Sequence, residues 1–199
     1  MSMNNKGSLK LLIVVVLILI GIGGIVFYKQ ETNDDLSEFI QKEFQVKEDP
    51  QVKSKEDVYG LGVGDYAPKF DLDNLEGEDI NLTDYQGKYL LLNFWATWCP
   101  PCRKEMSDLN QFYQKNQDEF VVVGVNIGEN KEDVKKFMHS GGYEYPILLD
   151  RDRQVAFLYR ASVIPTSYFI DPEGRIQYIK RGLVTKEELE EIKTNLINK

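Results

Sequence analysis

The stretch Tyr89-Leu90-Leu91-Leu92-Asn93-Phe94-Trp95, followed by Trp98-Cys99-Pro100-Pro101-Cys102, decides the fold of this chain. The first part reads as a buried strand, and the second opens a helix with Pro inside its first turn. Cys99 is thereby placed at a helix N-terminus, where unpaired N–H groups and the macrodipole stabilise a thiolate. Cys102 falls one turn further on the same face, close enough to close a disulfide. The chain has no other cysteine. A single C-x-x-C leaves a redox pair or half of a metal site, and argues against a structural disulfide framework.

Working outward, Gly62-Val63-Gly64-Asp65-Tyr66-Ala67-Pro68 is turn-rich. Lys69–Leu72 and Glu78–Leu82 flank Asn74-Leu75-Glu76-Gly77 as a hairpin, and Thr83–Gly87 is a loop before the strand over 88–95. The helix is expected from Pro100 to Asn116, with Met106, Leu109, Phe112 and Tyr113 on its core face. Phe120–Asn126 is a β-branched run of the buried-strand kind. A helix follows over Lys131–Ser140, closed by Gly141-Gly142. Tyr145–Leu149 reads as a strand and Asp152–Tyr159 as a short helix. Pro165 opens the strand Ser167–Ile170, and the turn Asp171-Pro172-Glu173-Gly174 leads into Ile176–Arg181. Thr185-x-x-Glu188 is a capping box for a last helix reaching Asn198. Strands alternating with helices predict an α/β domain with a mixed sheet.

Of 199 residues, 42% are apolar and 28% charged, as in a globular protein. The net charge of −8 carries no basic stripe, which excludes nucleic acid as a partner. Leu11–Tyr28 is an uncharged apolar run preceded by Lys6 and Lys10 and followed by Lys29. It reaches the lower end of the length that spans a hydrocarbon core. No small-residue exit of the A-x-A kind follows it, so an uncleaved anchor is expected in place of a cleaved signal peptide. There is also no cysteine near it to carry a lipid. The expected organisation is a cytoplasmic tail (1–10), a transmembrane anchor (11–28), a stalk (29–59) and a domain over 60–199 facing the extracytoplasmic side. Within the stalk, Leu36, Phe39, Ile40 and Phe44 have the spacing of a short amphipathic helix.

With Phe94–Cys102 and Ile164-Pro165-Thr166 in one α/β domain, the chain resembles the thioredoxin superfamily. More narrowly it resembles the membrane-anchored ResA/TlpA-type thiol-disulfide oxidoreductases. The supporting stretches are the lead-in Gly64-Asp65-x-Ala67-Pro68-x-Phe70, the N-terminal hairpin and an extra segment around 127–149. Val125-Asn126-Ile127-Gly128-Glu129, Leu149-Asp150-x-Asp152-Arg153-Gln154 and Asp171–Gly174 point the same way. The resemblance implies a thioredoxin-like fold with an N-terminal β-hairpin and a central insertion, behind the transmembrane helix. It covers residues 60–199 and an anchor in the same place.

The resemblance also implies roles. Cys99 is the nucleophile, at the exposed position of the motif, and Cys102 is the resolving thiol. Glu105, one turn beyond Cys102, corresponds to a functional Glu of ResA-like proteins; a carboxylate there raises a neighbouring thiol's pKa and takes its proton. The alternative reading of Glu105 is an exposed first-turn acid favourable to the helix dipole. Asn93 stands where ordinary thioredoxins have a buried Asp, so proton handling shifts to Glu105. Pro165 is expected in the cis form, with the free edge of Val163 and Ile164 available to a substrate strand. Pro100 departs from the Glu that ResA proteins carry before Pro101, and with Trp98 these residues tune the potential. Ser107 replaces a Pro common among relatives, which predicts a straighter helix. Trp95 reads as core, Trp98 as the rim of the site, and His139 as a surface residue at a helix end.

Zinc requires four ligands, and His139 alone is available beyond the two thiols. Haem attachment requires His after Cys102, where Arg103 stands. The expectation is therefore no metal and no cofactor other than the redox-active Cys99–Cys102 disulfide. The implied activity is reduction of disulfides in exported proteins, with the C-x-x-C-H of apocytochrome c as the expected client. A membrane thiol donor of the CcdA type is the expected electron source. Competing readings are an oxidase or spore-envelope-type redox protein and a copper-handling dithiol module. A peroxidase would need P-x-x-x-T-x-x-C, and Leu92 and Ala96 occupy those Pro and Thr positions.

Overall fold

Strand β3 (Tyr89–Trp95) lies at the centre of a five-stranded sheet ordered β5-β4-β3-β6-β7. The computed structural model describes residues 59–198. The expected tail (1–10), anchor (11–28) and stalk up to residue 58 lie outside the described residues. Among the described residues no helix is long and apolar enough to cross a membrane. The elements run β1 (Asp71–Asp73), β2 (Asp79–Asn81), a 3-10 turn (Leu82–Tyr85), β3, α1 (Pro100–Asn116), β4 (Phe120–Ile127) and α2 (Lys131–Gly141). They continue with β5 (Ile147–Asp150), α3 (Gln154–Leu158), β6 (Thr166–Ile170), β7 (Ile176–Arg181) and α4 (Lys186–Ile197).

β3 pairs parallel with β4 and antiparallel with β6; β5 extends the sheet parallel to β4, and β7 lies antiparallel to β6. Because side chains alternate along a strand, β3 serves two cores at once. Leu91 and Trp95 face the layer of Met106, Leu109, Phe112, Val134, Leu189 and Ile192, contributed by α1, α2 and α4. Leu90, Leu92 and Phe94 face Phe70, Leu82, Val155 and Tyr159 on the other side. A central strand covered on both faces explains why its sequence is a continuous apolar run. Asn93 is the exception, and it lies on the α1 side of the sheet, opposite Ser167 of β6 in the register.

Gly124 makes room for this packing. A Cβ there would lie 2.6 Å from Ile147 Cδ1 and 2.8 Å from Trp95 Nε1. The glycine thus admits the Trp95 indole against β4 at the end of β3, four residues before the Cys99 cap.

Among the described residues, the elements expected over 60–199 are found, with shifts at their ends that have local causes. β5 begins at Ile147, after Pro146, which lacks the N–H of a ladder donor. The short helix α3 begins at Gln154, where Asp152 had been expected. The Asp150 carboxylate accepts from the amides of Val155 and Ala156, and Arg153 precedes the helix in the left-handed region at φ 65°. In the hairpin, Asn74 Oδ1 accepts from the amides of Glu76, Gly77 and Glu78, with Gly77 at φ 93°. α2 ends at Gly142 in the left-handed conformation, and Thr185 and Glu188 form the capping box of α4. Tyr59, assigned to the stalk by sequence, already bridges to Tyr66.

Candidate active site

Cys99 is the N-cap of α1, and its sulfur takes the place that a Ser or Asp oxygen commonly fills. Pro100 and Pro101 occupy the first two helical positions and carry no N–H, so the Cys102 amide is the first donor of the helix. It points at Cys99 Sγ from 3.2 Å. A donor and a helix N-terminus aimed at one sulfur favour its thiolate over its thiol. The two cysteines are joined by a disulfide with an S–S distance of 2.03 Å. Cys99 is only 3% exposed and Cys102 is fully covered. The expectation of an exposed Cys99 holds in order but not in degree: neighbouring loops leave a narrow approach to this sulfur and none to its partner.

The loop before Cys99 is held from across the sheet. Glu129, just beyond the end of β4, accepts from the Thr97 amide at 2.7 Å and from Thr97 Oγ1. The same carboxylate accepts from the buried Asn126 side chain at 2.8 Å. The parallel pairing of β3 and β4 brings both strand ends to the same edge, and that is how residues 32 apart in sequence meet.

Beneath the dithiol, Glu105 is 1% exposed, which overturns its reading as a solvent-facing first-turn acid. One carboxylate oxygen accepts from Asn93 Nδ2 at 2.9 Å and the other from the Val184 amide at 2.8 Å. Asn93 also donates to Ser167 Oγ at 2.9 Å. Burial pushes the Glu105 carboxyl up to about 7, against the opposing pull of the Val184 and Asn93 donors and of the Lys180 charge. An acid of that strength is half-ionised near neutral pH and sits one turn from Cys102 on the same helix.

The Ile164–Pro165 peptide is cis, and Ile164 O lies 3.8 Å from Cys99 Sγ. In the disulfide the sulfur carries no hydrogen, so this approach is a contact; a thiol at Cys99 has a donor to offer there. Pro165 O accepts from Gly182 N at 2.8 Å. Segment 182–184 therefore ties the cis-proline loop to the Glu105 pocket. Trp98 is 63% exposed at the rim, while Trp95 is fully buried. His139 is exposed in the last turn of α2. α1 is unbroken from Pro100 to Asn116, with Ser107 in the middle of the run.

Cys99, Cys102, Glu105, Asn93, Pro165 and Ile164, chosen from sequence, thus converge around the C-terminal end of the central strand β3, with Pro100, Pro101 and Trp98 around the sulfur. Sequence reasoning missed Thr97, Asn126, Glu129, Ser167 and Val184. The stretch containing Asn126 and Glu129 stood out as ResA-like, yet nothing local in it tells that its carboxylate reaches back to Thr97.

The family model matching residues 63–179 is that of the AhpC/TSA family. The thiol-disulfide oxidoreductase ResA of Geobacillus thermodenitrificans is 42% identical over 132 residues, covering 66% of this chain and 76% of ResA. The crystal structure of StoA from Bacillus subtilis superposes with a TM-score of 0.55 at 34% identity, covering 62% of this chain and 95% of StoA. A secreted thiol-disulfide isomerase from Corynebacterium glutamicum gives a TM-score of 0.62 at 28% identity, over 66% of this chain and 85% of that protein. These likenesses agree with a helix-capped dithiol beside a cis-proline: the chain belongs to the AhpC/TSA family, has the thioredoxin-like fold, and is a thiol-disulfide oxidoreductase of the ResA kind.

Proposed function

We propose that the chain is a membrane-tethered, extracytoplasmic reductase of disulfides in exported proteins, with the C-x-x-C-H of apocytochrome c as client. The observation that carries this reading is the buried Glu105, held by Asn93 beneath the Cys99–Cys102 pair. In the reduced protein the Cys99 thiolate attacks one client sulfur, forming a mixed disulfide and expelling the other client sulfur as a thiolate. Cys102 then passes its proton to Glu105 and attacks Cys99 Sγ. The client sulfur bound to Cys99 leaves as a thiolate, and the Cys99–Cys102 disulfide remains. The two client thiolates collect one proton from Glu105 and one from solvent. Two electrons from a membrane dithiol donor of the CcdA type restore the starting state. The Pro165 loop offers the client a backbone edge beside the sulfur, and no metal or cofactor beyond the dithiol enters the cycle. The apolar run over 11–28 and the secreted character of the Corynebacterium glutamicum neighbour support the location.

The direction of electron flow is tested by the reduction potential of the Cys99–Cys102 couple against a glutathione or dithiothreitol buffer. A value near the thioredoxin range of about −270 mV fits a reductase, and one near the disulfide-forming range of about −120 mV sinks it.

A further inference from the structure

Beside the dithiol lies an open apolar groove of about 940 Å³. Trp98 and Ile164 form its wall next to Cys99, and Ile127, Val155, Phe157 and Leu158 are among its other apolar lining residues. Phe157 is 85% exposed, an unusual position for a large aromatic side chain with no packing role. It is displayed by α3, a five-residue helix whose two ends are set by arginines in the left-handed region, Arg153 at φ 65° and Arg160 at φ 50°. Non-glycine residues adopt that conformation at a cost, and such positions cluster at functional surfaces.

The charge of the groove is opposite to that of the chain. Both arginines line it and no acidic side chain does, although the whole protein carries −8. Among the described residues neither arginine makes an ion pair. The bare Gly128 is what leaves space for Arg153: a Cβ there would lie 2.5 Å from Arg153 Nε. The groove is thus an aromatic and aliphatic floor flanked by two cations, and two of its lining residues adjoin the reactive sulfur: Trp98 precedes Cys99 in sequence and Ile164 O lies 3.8 Å from Cys99 Sγ.

We infer that this groove seats the client segment flanking the attacked cysteine, and that it selects segments carrying a bulky apolar side chain together with a carboxylate. The apolar side chain packs on Phe157, Ile127 and Trp98, and the carboxylate meets Arg153 or Arg160. This rests on the reductase reading above and adds the chemistry of the client to it. Selection acts on encounter with the client, so it enters through KM and leaves the exchange chemistry at the sulfurs alone.

The test uses the reduced full chain and two synthetic peptides with the same intramolecular disulfide. One carries Phe and Glu beside the disulfide, and the other carries Ser and Lys at those positions. The first is expected to be reduced with a kcat/KM about tenfold higher, the scale of one buried apolar contact, and with the difference in KM. In Phe157→Ser the ratio between the peptides falls, and adding Arg153→Gln and Arg160→Gln brings it toward one. Equal kcat/KM for the two peptides in the unsubstituted chain overturns the inference, as does an unchanged ratio in Phe157→Ser. Failure of the reduced chain to reduce either peptide overturns the reductase reading instead.

Discussion

The Glu105 carboxylate accepts a hydrogen bond of 2.9 Å from the side-chain amide of Asn93. An amide holds a carboxylate in place without competing for its proton, whereas an Asp at position 93 would form a carboxylate pair and share one. Both groups are buried on the α1 face of the sheet, so in the proposed cycle Glu105 takes the Cys102 proton away from bulk solvent. This pairing is the basis for assigning the resolving proton transfer to Glu105, and it yields predictions in both kinetics and stability.

For kinetics, the resolving step needs Glu105 ionised, and its carboxyl titrates at about 7. The rate of mixed-disulfide resolution should rise through neutral pH in the unsubstituted protein. In Glu105→Gln that limb disappears and turnover at neutral pH falls by about a hundredfold, the lower end of the range for loss of a general base. Stopped-flow Trp fluorescence across pH 5–9 reads both effects, and superimposable profiles would return Glu105 to a structural role.

The same group sets a pH dependence of stability. Its carboxyl lies above the ordinary 4.5 in the folded chain, so between pH 4.5 and about 7 the unfolded chain gives up a proton that the folded chain keeps. Stability from this group is fully present below 4.5, falls through that window and levels off above it. The total loss is about 3 kcal/mol at about 1.4 kcal/mol per tenfold change in proton affinity. Glu105→Gln should cost a pH-independent amount, since its amide opposes a donor, and should abolish this slope. Urea denaturation midpoints at pH 4.5, 6 and 8 for both proteins check it.

Glu129 accounts for a different part of the site. Glu129→Ala leaves the Thr97 amide and the Asn126 side chain without their acceptor, and Asn126 Oδ1 already has no partner among the described residues. The expected cost is about 1–3 kcal/mol of stability. Because Thr97 fixes the loop that leads into the Cys99 cap, the alkylation rate of reduced Cys99 should change with it. Glu129→Gln, which keeps one acceptor oxygen, should recover part of both.

How far the sequence reveals these relationships depends on their range. The C-x-x-C at a strand-to-helix junction, the turn of helix from Cys102 to Glu105 and the cis-proline are carried by residues close in sequence or by a short motif, and all were legible. The pocket's other partners were not: Ser167, which accepts from Asn93, depends on the β3–β6 register, and Val184 gives Glu105 only its backbone N–H, which every residue but proline possesses. The Glu129–Thr97 clamp requires the parallel β3–β4 pairing to be known first. The near-complete covering of Cys99 arises from loops around the cap, and its letters gave only its order relative to Cys102.

Gly124 shows how closely the site is supported from below. In Gly124→Ala the added methyl meets Ile147 and Trp95 well inside contact distance, on a rigid sheet. Overpacking of this kind should cost about 1–3 kcal/mol in chemical denaturation. Trp95 should report it as a shifted fluorescence maximum in the folded state.

The central claim is that Cys99 attacks and Cys102 resolves, and single-cysteine variants test it most directly. Cys102→Ser and Cys99→Ser are each incubated with an oxidised C-x-x-C-H peptide, and intact-mass spectrometry reads the adducts. A stable mixed disulfide on Cys99 in the first variant and none on Cys102 in the second is the predicted result. An adduct that accumulates on Cys102 as readily as on Cys99, or no adduct on either, would contradict the account.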